Sequence, residues 1–138
     1  MKAGWSLTAG ACLIALTLVG AAHGQAVGDP VLGETVFKKC AACHAVGEGA
    51  RNRVGPVLNG VVGRQAGTYE RFKYSKAMID AGTGGLIWSP ETLGGYLANP
   101  GNTVKGTKMA FPGLQDEADR INVIAYLLSF SPDFVPAP

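Results

Sequence analysis

Hydrophobic and polar positions divide the chain into one long apolar run followed by several short periodic segments. Leu7 to Val19 is almost unbroken in its apolar character, and Lys2 is the only charge before Asp29. Further on, Val31, Leu32, Val36 and Phe37 fall at helical spacing behind Asp29-Pro30, an N-cap with proline at the first helical position. This pattern predicts a helix running to about Cys40 or a few residues beyond. Tyr74 to Ala81 predicts a short helix with Ser75 as cap, stopped near Gly82. Ser89-Pro90-Glu91-Thr92 opens another, which ends near Asn99 because Pro100 follows. Asp116 to Phe130 predicts the longest helix. Acidic residues at its start suit the helix dipole, and Ile121, Ile124, Ala125 and Leu128 form one apolar stripe.

Between these segments the chain is punctuated by glycine. Gly47 to Gly67 and Gly101 to Gly113 show no sustained periodicity and read as loops, and Gly82-Thr83-Gly84-Gly85 is a tight connection. No stretch alternates as a strand, and there is no internal repeat or low-complexity segment. The expected class is all-α, with three or four short helices separated by long loops. Loops of that length in a small domain are functional or packed on something. A large apolar cofactor would give them a surface that the chain itself does not supply.

Composition sharpens this picture. Glycine accounts for 20 of 138 residues, against a usual share of about 7%. The 47% hydrophobic and 16% charged content is that of a globular chain and excludes a disordered one. A net charge of +2 is far from the strongly basic balance of nucleic-acid binders, so no nucleic-acid partner is expected.

The first stretch is a targeting segment. Lys2, the apolar run and the small-x-small site Ala22-His23-Gly24 form a secretory signal peptide over residues 1–24. Residues 25–138 then form a single domain with a short Pro-rich tail, exported to the periplasm. The alternative is a retained anchor, since Ala3 to Ala22 carries no charge and is about as long as a membrane helix needs. Gly4, Ser6, Thr8, Gly10, Thr17 and Gly20 dilute that run. Cys12 precedes most of the apolar run, the wrong geometry for a lipoprotein, and leaves with the signal. The exported chain keeps two cysteines and one histidine, and they sit together.

Cys40-Ala41-Ala42-Cys43-His44 is a C-x-x-C-H sequence, the signature of covalent c-type haem attachment. On one helical turn two thiols reach the two vinyl groups on one side of a porphyrin, and the adjacent imidazole points at the iron. A disulfide or a thioredoxin-like redox pair also uses C-x-x-C. The adjacent histidine, the missing βαβ pattern and the export signal stand against both. A zinc site would need a fourth protein ligand, which no other Cys or His of the exported chain can supply. With one histidine, His44 fills one axial position and a bis-His haem is excluded. The other position falls to methionine, lysine, an N-terminal amine, water or nothing. Met78 lies in a helical segment beside Ile79 and reads as core. Met109 sits in a loop between two helices, from which a thioether can close over a haem.

The ordered series of motifs resembles the class I c-type cytochromes, of the soluble bacterial type similar to mitochondrial cytochrome c. The likeness extends from about Asp29 to Ser129. It rests on Gly33 and Phe37, Cys40-x-x-Cys43-His44, Gly55-Pro56, Gly63-Arg64, Phe72-Lys73-Tyr74 and Trp88, then on Tyr96-Leu97-x-Asn99-Pro100, Gly106-Thr107-Lys108-Met109-x-Phe111 and Ala125-Tyr126-Leu127. The resemblance implies the cytochrome c fold, three to five short helices and glycine-rich loops wrapped around one covalently bound haem c. It also implies His44 and Met109 as iron ligands and a carbonyl of Pro56 holding the His44 imidazole. Tyr74 and Trp88 would hydrogen-bond a haem propionate with Arg64 nearby, Tyr96 and Thr107 would steady the Met109 side, and Gly33 and Phe37 would cross Val123 and Tyr126. Two departures stand out. Lys105 replaces the proline that often precedes Gly-Thr-Lys-Met, and Met78 to Ile87 is about three residues longer than in the mitochondrial proteins.

The function so implied is a one-electron carrier, a monomer and not an enzyme, shuttling between periplasmic or membrane redox proteins. Those partners would dock at the haem edge, with Lys39, Arg51, Arg53, Lys105 and Lys108 as candidate contacts and Asp116, Glu117 and Asp119 on the helix behind. Two alternatives remain at this point. One is an open-site haem enzyme or gas sensor, which lacks a second histidine for distal chemistry. The other is a dedicated electron-acceptor subunit of a dehydrogenase.

Overall fold

The fold begins at Asp29, whose carboxylate accepts the backbone N–H groups of Val31 at 2.7 Å and Leu32 at 3.3 Å. Pro30 fills the first helical position, where no donor is needed, and helix α1 runs over Pro30–Phe37. The computed structural model describes residues 1–2 and 27–136. The expected signal peptide, with Cys12 and the Ala22-His23-Gly24 site, lies outside the described residues apart from Met1 and Lys2. Regular α-helix stops at Phe37, earlier than the expected Cys40, because the hydrogen bonds tighten there. Lys39 N–H bonds to Val36 C=O at 3.0 Å and Cys40 N–H to Phe37 C=O at 2.7 Å. The chain keeps turning through His44, whose N–H reaches Cys40 C=O at 2.9 Å.

The next helices start where their caps were expected. Ser75 caps α2 (Lys76–Thr83) by accepting from Met78 N–H at 3.1 Å. Ser89 and Thr92 form a reciprocal capping box at the start of α3 (Pro90–Ala98), with Pro90 at the first position. One short helix went unread: α4 (Pro100–Thr103), in a stretch expected to be loop. Asn99 explains it, since its extended backbone breaks α3 while its side chain accepts from Asn102 N–H at 3.1 Å and starts a new turn behind Pro100. Asp116 caps α5 (Glu117–Leu128), which closes in i→i−3 bonds at Ser129 and Phe130. Among the described residues no strand forms, only an isolated bridge between Gln65 and Ile87.

Helices α1 and α5 cross in direct backbone contact. A Cβ added to Gly33 would run into the carbonyl oxygen of Asn122 and stand 2.8 Å from the Cβ of Tyr126. Tyr126 also packs on Phe37, ring centroids 5.3 Å apart. The expected partner Val123 is 1% exposed and turns into the core. The N–H of Asp29 donates to Asn122 Oδ1 at 2.9 Å and ties the start of α1 to the same crossing.

Gly33 and Gly95 therefore respond oppositely to alanine. Gly33→Ala forces the helices apart and is expected to cost about 1–3 kcal/mol in urea unfolding. Gly95→Ala, with nothing within 4 Å of the added carbon in the body of α3, is expected to stabilise by about 0.5–1 kcal/mol. Equal effects of the two substitutions would contradict this account of the crossing.

Candidate functional site

The turn that follows α1 delivers three donors to one place. Cys40, Cys43 and His44 all line a cavity of about 350 Å³. Its remaining lining is largely apolar and includes Phe37, Trp88, Leu97 and Leu127. No disulfide joins Cys40 to Cys43. Burial pushes the Cys40 thiol up, with Lys39 opposing. Among the described residues no group of three or more His, Cys, Asp or Glu is placed to hold a metal ion.

His44 is fixed from two directions. Its Nδ1 lies 2.7 Å from the carbonyl oxygen of Pro56, which can only accept. Nδ1 therefore carries the proton, and Nε2 keeps its lone pair. Burial holds the imidazole below its usual pKa, with the Pro56 bond opposing. The ring lies flat against Gly55: a Cβ added there would stand 2.7 Å from both ring nitrogens. Gly55 is held in turn, its N–H bonding to Cys43 C=O at 2.8 Å. The dipeptide Gly55-Pro56 thus supplies a bare backbone face and an acceptor to one imidazole.

The loop around Met109 faces the same cavity through Thr107, Lys108 and Met109. Tyr96, buried on α3, has its hydroxyl 2.9 Å from Thr107 Oγ1. That oxygen accepts from Met109 N–H at 3.2 Å. Burial raises the Tyr96 pKa, and the bond to Thr107 opposes the rise. Met78 is buried in the core as expected, yet it also lines the cavity.

Arg64, Tyr74 and Trp88 all line the cavity, and Trp88 N–H bonds to Arg64 C=O at 2.9 Å. Trp88 is buried and packs on Tyr96, ring centroids 4.9 Å apart. Burial raises the Tyr74 pKa, with Arg64 the largest opposing influence. Of the basic side chains expected at the rim, Lys39 and Lys108 line the cavity, and Arg51 and Lys105 are exposed. Arg53 donates to Ala41 C=O at 2.9 Å, bracing the Cys40–Cys43 turn. Lys39 pairs with Asp119 of α5 at 2.8 Å.

Sequence reasoning missed four positioning residues. Gly55 was read only as part of a motif. Asn52 accepts from Val57 N–H at 2.9 Å and donates to Glu70 C=O at 3.2 Å, anchoring the segment that carries Pro56. Asn59 clamps Gly47 through both its N–H and its C=O, at 2.7 and 2.8 Å. Tyr69 lies beneath the Arg64 guanidinium. No local pattern marks these contacts; each joins loop segments distant in sequence.

Two thiols and an imidazole on one turn, a thioether loop and an apolar lining between them fit a haem. Comparison with known proteins agrees. The family model described as Cytochrome c matches residues 30–131. Cytochrome c2 from Rhodoblastus acidophilus is 53% identical over 106 residues, covering 77% of this chain and 96% of that protein. Cytochrome c2 from Agrobacterium tumefaciens (strain II Chrys) is 48% identical over 110 residues, covering 80% of this chain and 98% of that protein. The solved structure of cytochrome c2 from Rhodospirillum centenum superimposes with a TM-score of 0.74 at 47% identity, over 76% of this chain and all of that one. The chain belongs to the cytochrome c family: it carries one covalently attached haem c and works as an electron carrier.

Proposed function

We propose that the chain is a periplasmic one-electron shuttle whose iron is closed on both sides, by His44 and Met109. The supporting observation is the oriented imidazole. Pro56 occupies Nδ1 and leaves Nε2 as a ligand atom on a cavity that Met109 also lines. Cys40 and Cys43 anchor the haem through thioether bonds, which keep it in a domain too small to hold it by burial alone. When bound, the haem supplies one reversible electron. The chain's own residues exclude water, fix the ligands and place charge. Pro56 orients His44 and makes it a stronger donor. Thr107 joins Tyr96 to the Met109 backbone and limits the movement of that loop. Arg64, Tyr74 and Trp88 receive the haem carboxylates.

Export follows from the leader, with cleavage after Gly24. An enzyme or gas sensor would need an open iron and a distal acid–base group. With Met109 bound, residues 25–138 offer neither, since His44 is their only histidine. Redox partners dock at the cavity rim, where Arg51, Arg53, Lys105 and Lys108 present positive charge. Lys39 contributes less, because Asp119 already offsets it.

Two outcomes test this reading. Oxidised protein is expected to show the weak red-edge charge-transfer band of sulfur–iron ligation and to ignore carbon monoxide when reduced. Met109→Ala is expected to lose the band and to bind carbon monoxide. A variant that keeps the band would move the ligand elsewhere, and wild-type protein that binds carbon monoxide would favour an open-site haem protein. For the rim, Lys108→Glu is expected to slow electron exchange with a small anionic reagent about threefold to tenfold at low salt, an effect that fades at high salt. Lys39→Gln is expected to do less. The reverse ranking, measured by stopped flow, would remove Lys108 from the docking face.

A further inference from the structure

Arg64 is a cation set into the wall of an apolar cavity without an anionic partner among the described residues. The ion pairs among the described residues are Lys39–Asp119 and Lys76–Asp80, and Arg64 belongs to neither. Half-buried, it is held below its usual pKa by desolvation. Two contacts position it. Its Nη1 donates to Asn59 C=O at 2.8 Å, which fixes one edge of the guanidinium. Its Cζ stands 4.7 Å from the centroid of the Tyr69 ring, which supports one face. A guanidinium prefers this arrangement because the ring face is electron-rich and the cation is weakly hydrated. One hydrogen bond alone would leave a long side chain free to swing toward water.

We propose that Tyr69 is a positioning residue for electron transfer, its ring holding the Arg64 charge against the cavity so that the cation acts on the haem at a fixed distance. The inference rests on the reading of Arg64 as the cation beside the haem carboxylates. Tyr69 is absent from the cavity lining; its backbone meets the Tyr74 side chain, while its ring bears on Arg64. The direction follows from Coulomb's law. A fixed positive charge near the iron disfavours the more positive, oxidised state, and the low-dielectric wall strengthens that effect. Releasing Arg64 toward solvent weakens the field and favours oxidation.

The test measures the oxidised-to-reduced ratio of the haem-loaded protein at a fixed ambient potential, followed by absorbance. Tyr69→Leu is expected to raise the ratio about twofold to fivefold, the range a cation–ring contact of this exposure supports. Tyr69→Phe keeps the ring and is expected to match the wild type. Arg64→Gln is expected to raise the ratio at least as far as Tyr69→Leu, and the double variant Tyr69→Leu/Arg64→Gln is expected to equal Arg64→Gln alone. A ratio unchanged by Arg64→Gln overturns the reading of Arg64, and this proposal with it. A shift with Arg64→Gln but none with Tyr69→Leu overturns the role of Tyr69 alone. Additive shifts in the double variant also overturn it, since Tyr69 would then act by another route.

Discussion

Much of the apolar core of this protein borders a cavity as well as packing on itself. Phe37, Trp88, Tyr96, Leu97, Val123 and Leu127 are all core residues, and all six also line the cavity. In a helical bundle such side chains would interdigitate. Here they stand around a space of about 350 Å³ that also receives two thiols, an imidazole and a thioether. Five short helices among the described residues, the longest of 12 residues, offer few opportunities to close that space themselves. Isolated helices of such lengths are marginal in water. The α1–α5 crossing at Gly33 gives the chain a rigid corner, and the haem gives the rest of it something to fold upon.

The same constraint explains the loops. Residues 45–74 contain no regular element, yet their backbone is tied down at many points. Asn52 and Asn59 supply side-chain bonds where a sheet would supply a ladder. The product of this loop architecture is the placement of Gly55 and Pro56 against His44. One offers a surface without a Cβ, the other an acceptor, and together they select the tautomer that leaves the Nε2 lone pair free. Ligand geometry is thus made by backbone, and the rim is left to carry charge.

Helix starts were legible in the sequence because their chemistry is local. Asp29, Ser75, Ser89 and Asp116 each satisfy N–H groups two or three residues ahead, and Pro30 and Pro90 follow directly. Helix α4 was hidden because Asn99 ends one helix and caps the next, a double role that its neighbours do not announce. The Cys40–His44 motif could be read alone, since its spacing carries its own chemistry. The Tyr96–Thr107 pair came from resemblance to a family, and the structure supplied its geometry. Asn52, Asn59 and Tyr69 escaped both readings. Their partners Glu70, Gly47 and Arg64 lie 5 to 18 residues away across loops with no period to follow.

The dependence of the fold on its bound group is tested most directly by removing the attachment. Protein carrying Cys40→Ser and Cys43→Ser, purified free of haem, can be compared with the haem-loaded wild type by far-ultraviolet circular dichroism through a urea titration. The account predicts that the haem-free chain loses most of its helical signal and has no cooperative transition. A haem-free chain with the wild-type helical signal and a sharp transition at similar urea would contradict it, and would mean that the helices close the core on their own.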